Sequence, residues 1–432
     1  MAADTLPPGP RAPVAVQTAE WIARPWEFMD RAAARYGDTF TMKLVGEGPI
    51  VMVSHPDAVR QIFTSPPELV LAGEANRILQ PVVGQNSVLL LDRDAHREQR
   101  RLLMPAFRGN QLQSYMSTMT AIAEAEIARW PRGVPVRLHP RMQALTLEVI
   151  LHLVFGLERG QSMDRLRQAL QRTLVLTTNG AAQFFLLLVG PQKMRTALTH
   201  KLLADVDRLL HEEIATRRRQ ADLDTRTDVL SMLLKARHED GNPMSDQEIR
   251  DELITLLLAG HETTASGLAW AVERIVRHPD AHSRLIEEAH ADDGQRYVDA
   301  VVKETLRMRP VLALVSRRLT EPMEVDGFSL PAGVKVAPSI YLMHRRPDIY
   351  PDPKQFRPER FLDNHPGTYT WIPFGGGVRR CLGATFAECE MRIVLGAMFT
   401  TMRVRPVDAK SEPIHRRSIT QVPGRGTTVV LE

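Results

Sequence analysis

The sequence predicts a mainly α-helical fold with a small β-sheet region near the N-terminus. Three observations point there. Apolar residues recur at helical spacing through most of the chain. Period-two alternation, the mark of a half-buried strand, is confined to a few short runs. One helical pattern is long enough to traverse a whole domain.

Taken in order, residues 1–15 begin Pro-rich, with Thr5 to Ala12 reading as extended chain. Thr39–Val45 and Ile50–Ser54 alternate and flank Gly46 to Pro49, which predicts a hairpin. Helical spacing marks 110–130, 140–157, 199–219, 227–237 and 384–401. Pro331-Ala-Gly333 followed by Val334–Ala337 predicts a turn and a further strand. No internal repeat or low-complexity linker divides the chain, so a single domain over 1–432 is expected.

The longest helix pattern begins at Ser245, where Ser245 and Glu248 form a capping-box pattern, and runs to Pro279. At 1.5 Å per residue it spans roughly 45–50 Å and must pass through the core. Its middle should be apolar, yet it reads Ala259-Gly260-His261-Glu262-Thr263-Thr264. Gly costs about 1 kcal/mol in a helix interior. A buried Glu costs more unless it is paired. Local rules fail where function takes over.

With 432 residues and 44% apolar content, the chain can bury a large core and a bulky cofactor. Net charge is only +4 and no Lys-rich tail appears, so nucleic acid is not an expected partner. Two cysteines, Cys381 and Cys389, exclude a disulfide framework and a multi-cysteine zinc site. No apolar run reaches the length of a signal peptide or a membrane span. A soluble, cytoplasmic protein without a membrane anchor is expected.

Phe374-Gly375-Gly-Gly377-Val-Arg379-Arg380-Cys381-Leu-Gly383 precedes an apolar helix. Glycines allow close backbone approach to a ligand. A helix N-terminus and two arginines favour thiolate over thiol. A phosphate loop would need Gly-Lys-Ser/Thr, which is missing. A cysteine nucleophile would need a base, and none lies nearby in sequence. A buried structural thiol remains the plain alternative, and Cys389, two turns into the helix, fits it.

The loop resembles the haem-binding signature of cytochromes P450: Phe374, Gly377, Arg379, Cys381 and Gly383 fall on its fixed positions. Other segments resemble the family in the same order. They are His96-Arg-Glu-Gln-Arg100, Ala259 to Thr264, Glu304-Thr-Leu-Arg307, Arg317 before Gly327, and Phe356-Arg-Pro-Glu-Arg360-Phe. Leu6-Pro-Pro-Gly-Pro-Arg11 and Arg35-Tyr-Gly-Asp38 are similar to soluble bacterial members related to membrane-bound eukaryotic ones. The resemblance extends over nearly the whole chain.

The resemblance implies a helix-rich prism with haem b held between the long helix and the cysteine loop. It implies Cys381 as the iron ligand, with Phe374 and Gly375 against the haem. His96, Arg100, Arg317 and Arg379 become the propionate partners, Arg317 being favoured over Arg318. Ala259 and Gly260 leave room for O2 beside the iron. Thr263 and Glu262 become the catalytic proton relay, against the alternative that Thr263 merely back-bonds within its helix. Glu304, Arg307 and Arg360 form a structural ion network. His261 takes no metal role.

The implied activity is insertion of one oxygen atom from O2 into a C–H bond or a C=C of a lipophilic molecule, such as a fatty acid or terpenoid. Val82, Val83, Phe184, Phe185, Leu312, Leu314 and Ile419 are expected to line its pocket. No reductase domain is expected within the chain. Electrons are expected from NAD(P)H through a separate ferredoxin or flavodoxin and its reductase, docked electrostatically on a monomer. Alternatives are a peroxygenase, a P450-type isomerase and a non-catalytic haem binder or sensor. An intact Glu262–Thr263 pair disfavours each.

Overall fold

The computed structural model describes residues 6–156, 160–178, 192–289, 296–363 and 367–432. Phe184 and Phe185 lie outside them. After the extended Leu6 to Pro13, helices α1 (Val14–Ala23) and α2 (Pro25–Tyr36) lead into the hairpin β1 (Thr39–Leu44) and β2 (Gly48–Val53). The hairpin is antiparallel, with Thr39 opposite Val53 and Leu44 opposite Gly48. Gly46 and Gly48 turn it at φ of 80° and 73°, values that carry almost no cost only for glycine.

Next come α3 (Pro56–Thr64), β3 (Val70–Leu71), the short α4 (Ala72–Ala75) and α5 (Gln80–Val83). Helices α6 (Arg93–Leu103) and α7 (Gly109–Ile127), strand β4 (Pro135–Arg137) and helix α8 (Leu138–Phe155) follow. Then come α9 (Gln161–Thr178), α10 (Gln192–Arg218) and α11 (Val229–Lys235). Helix α12 (Asp246–Ile275) is the long one; at 1.5 Å per residue it spans about 45 Å. Its capping box forms as the sequence predicts. It stops at Ile275, and Pro279 opens the next helix, α13 (Pro279–Ala289), because Pro fits a first turn better than an interior.

Beyond α14 (Arg296–Met308), short strands β5 (Arg317–Leu319), β6 (Met323–Val325), β7 (Phe328–Leu330) and β8 (Lys335–Pro338) appear. The C-terminal part holds α15 (Ile340–Met343), α16 (Arg360–Asp363) and α17 (Ala384–Thr401). It closes with β9 (Val404–Pro406), β10 (Ile414–Arg417), β11 (Thr420–Pro423) and β12 (Thr428–Leu431). The N-terminal hairpin is not a free-standing sheet. It is completed in the order β1-β2-β8-β5-β3, with β2 parallel to β8. Segments nearly three hundred residues apart therefore meet in one sheet.

Two helices bracket the long one. Helix α8 packs along α12, and α17 packs against α7, α12 and α14. Leu268, Val272 and Ile275 of α12 share a core with Leu145 and Val149 of α8 and with Val394 and Met398 of α17. Gly260 has its own packing reason. A Cβ there would lie 2.3 Å from Ile150 Cδ1, so glycine lets α8 approach. That corrects the expectation that Gly260 leaves space for O2, because its bare face is turned to α8.

Candidate active site

The cysteine loop is built against α3. A Cβ on Gly376 would lie 2.3 Å from the Phe63 ring, and one on Gly377 would lie 2.0 Å from the Phe63 carbonyl oxygen. Gly377 also sits at φ 64°. These two glycines serve docking on α3, whereas Gly383 faces open space. The loop closes through the Cys381 N–H, which donates to the Phe374 carbonyl at 3.0 Å. Phe374 stands edge-on to Trp371, ring centres 6.1 Å apart. Gly375, at φ 68°, is buried with Val315 beside it.

Cys381 lies deep among protein atoms, yet its side chain is exposed. Burial pushes its thiol above the ordinary range; the Gly383 N–H, Arg380 and Arg100 pull the other way and lose. The Gly383 N–H and Arg380 thus act on the thiol in the direction expected of the loop, and burial opposes them. Desolvation wins, and Arg379 is turned away to other partners. Cys381 would hold a metal ion as thiolate, since coordination deprotonates a thiol.

The expected propionate partners converge. His96 on α6 is buried and held neutral, its pKa pushed down to about 3 by desolvation and by Arg379, Arg100 and Arg317. Arg317 on β5 is buried while Arg318 is exposed. Its side chain donates one hydrogen bond, to the Ser316 carbonyl at 2.9 Å, and burial lowers its pKa to about 10. Arg100 makes no side-chain hydrogen bond to the described residues, and burial lowers its pKa too. Arg379 differs. It pairs with Asp92 at 2.5 Å and donates to the carbonyls of Val88 and Leu91. This cluster carries excess positive charge and unused donors, which suits a ligand with two carboxylates.

On α12 the residues before and after Ala259 alternate between buried and half-buried, but Ala259 itself is exposed in mid-helix. Its small side chain is left uncovered by protein atoms. Thr263, one turn on, donates its hydroxyl to the Ala259 carbonyl at 2.5 Å. The back-bond weighed as an alternative is thus present. It uses the hydroxyl proton and leaves the oxygen able to accept.

Glu262 points elsewhere. Gln143 Nε2 donates to Oε2 at 2.6 Å, Arg417 Nη1 lies 3.5 Å from Oε1, and His139 Nε2 lies 3.7 Å from Oε1. Burial raises the Glu262 carboxyl, with Gln143 and Arg417 opposing. Its neighbour His139 is held neutral at about 3 by desolvation. Thr263 is not among these partners. His261 bonds Thr146 on α8 and stays neutral, pKa about 4 through burial.

The family model for cytochrome P450 matches residues 7–428. The chain belongs to the cytochrome P450 family. Cytochrome P450 135B1 of Mycobacterium tuberculosis is 41% identical to it, the match covering 98% of this chain and 91% of that protein. Cytochrome P450 135A1 of the same organism is 38% identical, over 99% of this chain and 95% of that one. Among solved structures, the retinoic acid-bound cyanobacterial CYP120A1 superposes with a TM-score of 0.85 at 26% identity. That match covers 99% of this chain and all of the other. The haem domain of cytochrome P450DA shares the fold at TM-score 0.85 and 22% identity. The activity class is that of a haem-dependent P450 monooxygenase.

In this P450 Glu304 and Arg307 are fully buried, and Arg360 is half-buried. Arg307 Nε and Nη2 donate to the two Glu304 oxygens at 2.6 and 2.8 Å. Arg360 Nε stands 3.4 Å from Glu304 Oε1, close enough to pair though poorly aligned for a hydrogen bond. Arg307 also donates to the carbonyls of His344, Pro353 and Gln355. The network thereby ties α14 to the 344–357 stretch. No helix among the described residues is long and apolar enough to cross a membrane.

The expected pocket residues are scattered in character. Val83 is buried and Val82 half-buried on α5. Leu312 bridges to Thr420, and Leu314 bridges to Ser339 and packs on the N-terminal aromatic cluster. Ile419 is exposed at the β10–β11 turn. Sequence reasoning missed Asp92, Gln143, His139 and Arg417. The spacing of His139 and Gln143, polar positions one turn apart in an apolar helix, was a usable signal. Arg417 had none.

Proposed function

We propose that this P450 hydroxylates, or epoxidises, a lipophilic small molecule of the fatty-acid or terpenoid type, drawing electrons from a separate ferredoxin or flavodoxin. The carrying observation is Cys381, deep among protein atoms yet with an exposed side chain, with Arg100 of the Arg100–Arg317–His96 cluster close enough to act on it. Cys381 Sγ is the iron ligand. Arg100, Arg317 and His96 hold the two propionates, and Phe374 and Gly375 shield the sulfur side. When bound, thiolate-ligated haem supplies O2 reduction and transfer of one oxygen atom, thiolate donation favouring O–O cleavage.

Ala259 keeps the distal side open. Thr263 Oγ1, an acceptor in its present rotamer, receives and passes protons there. Glu262 feeds it by rotating out of its Gln143–Arg417 site, which connects to the surface through the partly exposed Arg417. Apolar groups such as Val82, Val83 and Leu312 suit a lipophilic substrate. The retinoic acid in the CYP120A1 relative supports that class. The exposed Arg380 and Val378 beside Cys381 offer a cationic docking face for an acidic electron donor.

Substitution Thr263→Ala tests the relay. Electron consumption continues while product per electron falls about tenfold or more, with peroxide released instead. Thr263→Ser keeps coupling near wild type. Unchanged coupling in Thr263→Ala would refute the relay. Turnover driven equally well by peroxide without reductant would favour the peroxygenase reading.

A further inference from the structure

Helix α1 is built inside out. At about 100° per residue, Gln17 and Trp21 share the face turned to the protein, and both are buried. Ala15, Val16, Ala19, Ile22 and Ala23 share the opposite arc and are exposed. A surface helix ordinarily turns its apolar stripe to the core and its polar residues to water. The inward glutamine is fully used. Gln17 Nε2 donates to the Pro10 and Ala12 carbonyls at 3.1 and 2.8 Å, and Oε1 accepts the Lys43 N–H at 3.0 Å. Thr18 Oγ1 accepts the Val45 N–H at 3.0 Å, and Arg416 stacks 5.4 Å over the Trp21 ring. These bonds fasten the helix to the hairpin, so it cannot roll its apolar side inward. The β1–β2 turn adds Val45, 59% exposed, to Val16 at 45% and Ile22 at 42%.

Single exposed aliphatic residues are ordinary on a protein surface; a continuous apolar helix face held outward is not. The charge around it has one sign to spare. Arg11 precedes α1, Arg24 follows it and Lys43 lies on the adjoining strand; each is exposed and pairs with no carboxylate among the described residues. The carboxylates Glu20 and Glu47 are already paired, with Arg31 and Lys335. Aliphatic side chains flanked by free cations match the boundary between lipid tails and anionic headgroups. A second copy of the chain fits less well. A ten-residue helix, about 15 Å long and about 10 Å wide, offers far less than the ~800 Å² per partner of a stable dimer. We infer that α1 and the β1–β2 turn form a docking face for an anionic lipid surface. Val16, Ile22 and Val45 enter the tail boundary, while Arg11, Arg24 and Lys43 meet headgroup phosphates. The docking is peripheral, since ten residues are half of what a bilayer-spanning helix needs. No proposed haem contact lies on these elements, so the inference stands apart from the haem reading.

The test is co-sedimentation of haem-loaded protein with lipid vesicles. Wild type binds phosphatidylglycerol vesicles about tenfold or more tightly than phosphatidylcholine vesicles, and added salt weakens that binding. Val16→Glu and Ile22→Glu change exposed side chains and leave the unfolding midpoint and the reduced-CO spectrum as they are. Each cuts vesicle binding about tenfold. Arg11→Gln, Arg24→Gln and Lys43→Gln each weaken binding to the anionic vesicles about fivefold and leave phosphatidylcholine binding unmoved. Val16→Trp places a fluorophore on the face, and its emission shifts to the blue when phosphatidylglycerol vesicles are added. Wild type that stays in the supernatant, an unmoved Val16→Trp emission, or binding that Ile22→Glu leaves intact overturns the proposal. Self-association that Ile22→Glu abolishes, without vesicle binding, assigns the face to a second copy and also overturns it.

Discussion

At the scale of single residues, buried polar groups decide what this P450 tolerates. His344 is wholly enclosed, and its Nε2 accepts the Ile372 N–H at 2.9 Å. Desolvation, then Arg307, push its pKa down to about 3. The folded form therefore binds the proton less readily than the unfolded chain. Stability from the neutral ring is full above the ordinary value of 6.5 and is lost as pH falls towards 3. Between pH 6 and 4, wild type should lose about 1.4 kcal/mol more per pH unit than His344→Gln. Denaturant titrations at several pH values read the slope difference, and parallel slopes would refute the burial argument. Glu262 follows another logic. Its partners Gln143, His139 and Arg417 come from α8 and β10, so no short motif could announce them.

At the scale of elements, α12 serves as a frame on which loops are hung. Asp251 accepts from the Asn86 N–H and side chain, and Glu252 accepts from the Val88 N–H at 2.7 Å and Gln99 at 3.0 Å. Burial raises Glu252 to about 8, its hydrogen bonds opposing. The folded state keeps this proton where the unfolded chain loses it, so stability declines as pH rises from about 4.5 to about 8. Glu252→Gln keeps the accepting oxygen and cannot ionise. It should match wild type near pH 4.5 and become the more stable protein progressively up to pH 8. A constant offset between the two would contradict the raised carboxyl. The Glu304 network makes a second element-level prediction. Glu304→Gln leaves Arg307 and Arg360 without their carboxylate and should cost about 3–5 kcal/mol, with haem content falling in parallel. Equilibrium unfolding together with haem-to-protein absorbance measures both, and an unchanged midpoint would dismiss the network as a stabiliser.

At the scale of the whole molecule, legibility followed sequence locality. The long helix was legible because its capping box and apolar pattern lie within one segment, and the Thr39–Val53 hairpin because its turn is local. Strands β5 and β9 were not legible, being three residues long and paired with strands well away in sequence, and β10, four residues long, lacked alternation although it pairs locally with β11. The glycines of the cysteine loop stood out as types, but their reason did not. Gly376 and Gly377 answer to Phe63, over three hundred residues upstream. Arg379 likewise stood out as a cation, while its partner Asp92 lies 287 residues away. Motifs thus marked the candidate site, whereas the packing partners of its residues come from distant segments.

Everything in this account turns on Cys381 as the iron ligand. The decisive measurement is the absorbance spectrum of the reduced, CO-bound, haem-loaded protein beside that of Cys381→Ala. The account predicts the red-shifted Soret band of thiolate ligation in the wild type and its loss in the variant. A wild-type band without the red shift, or a variant that keeps it, would contradict it.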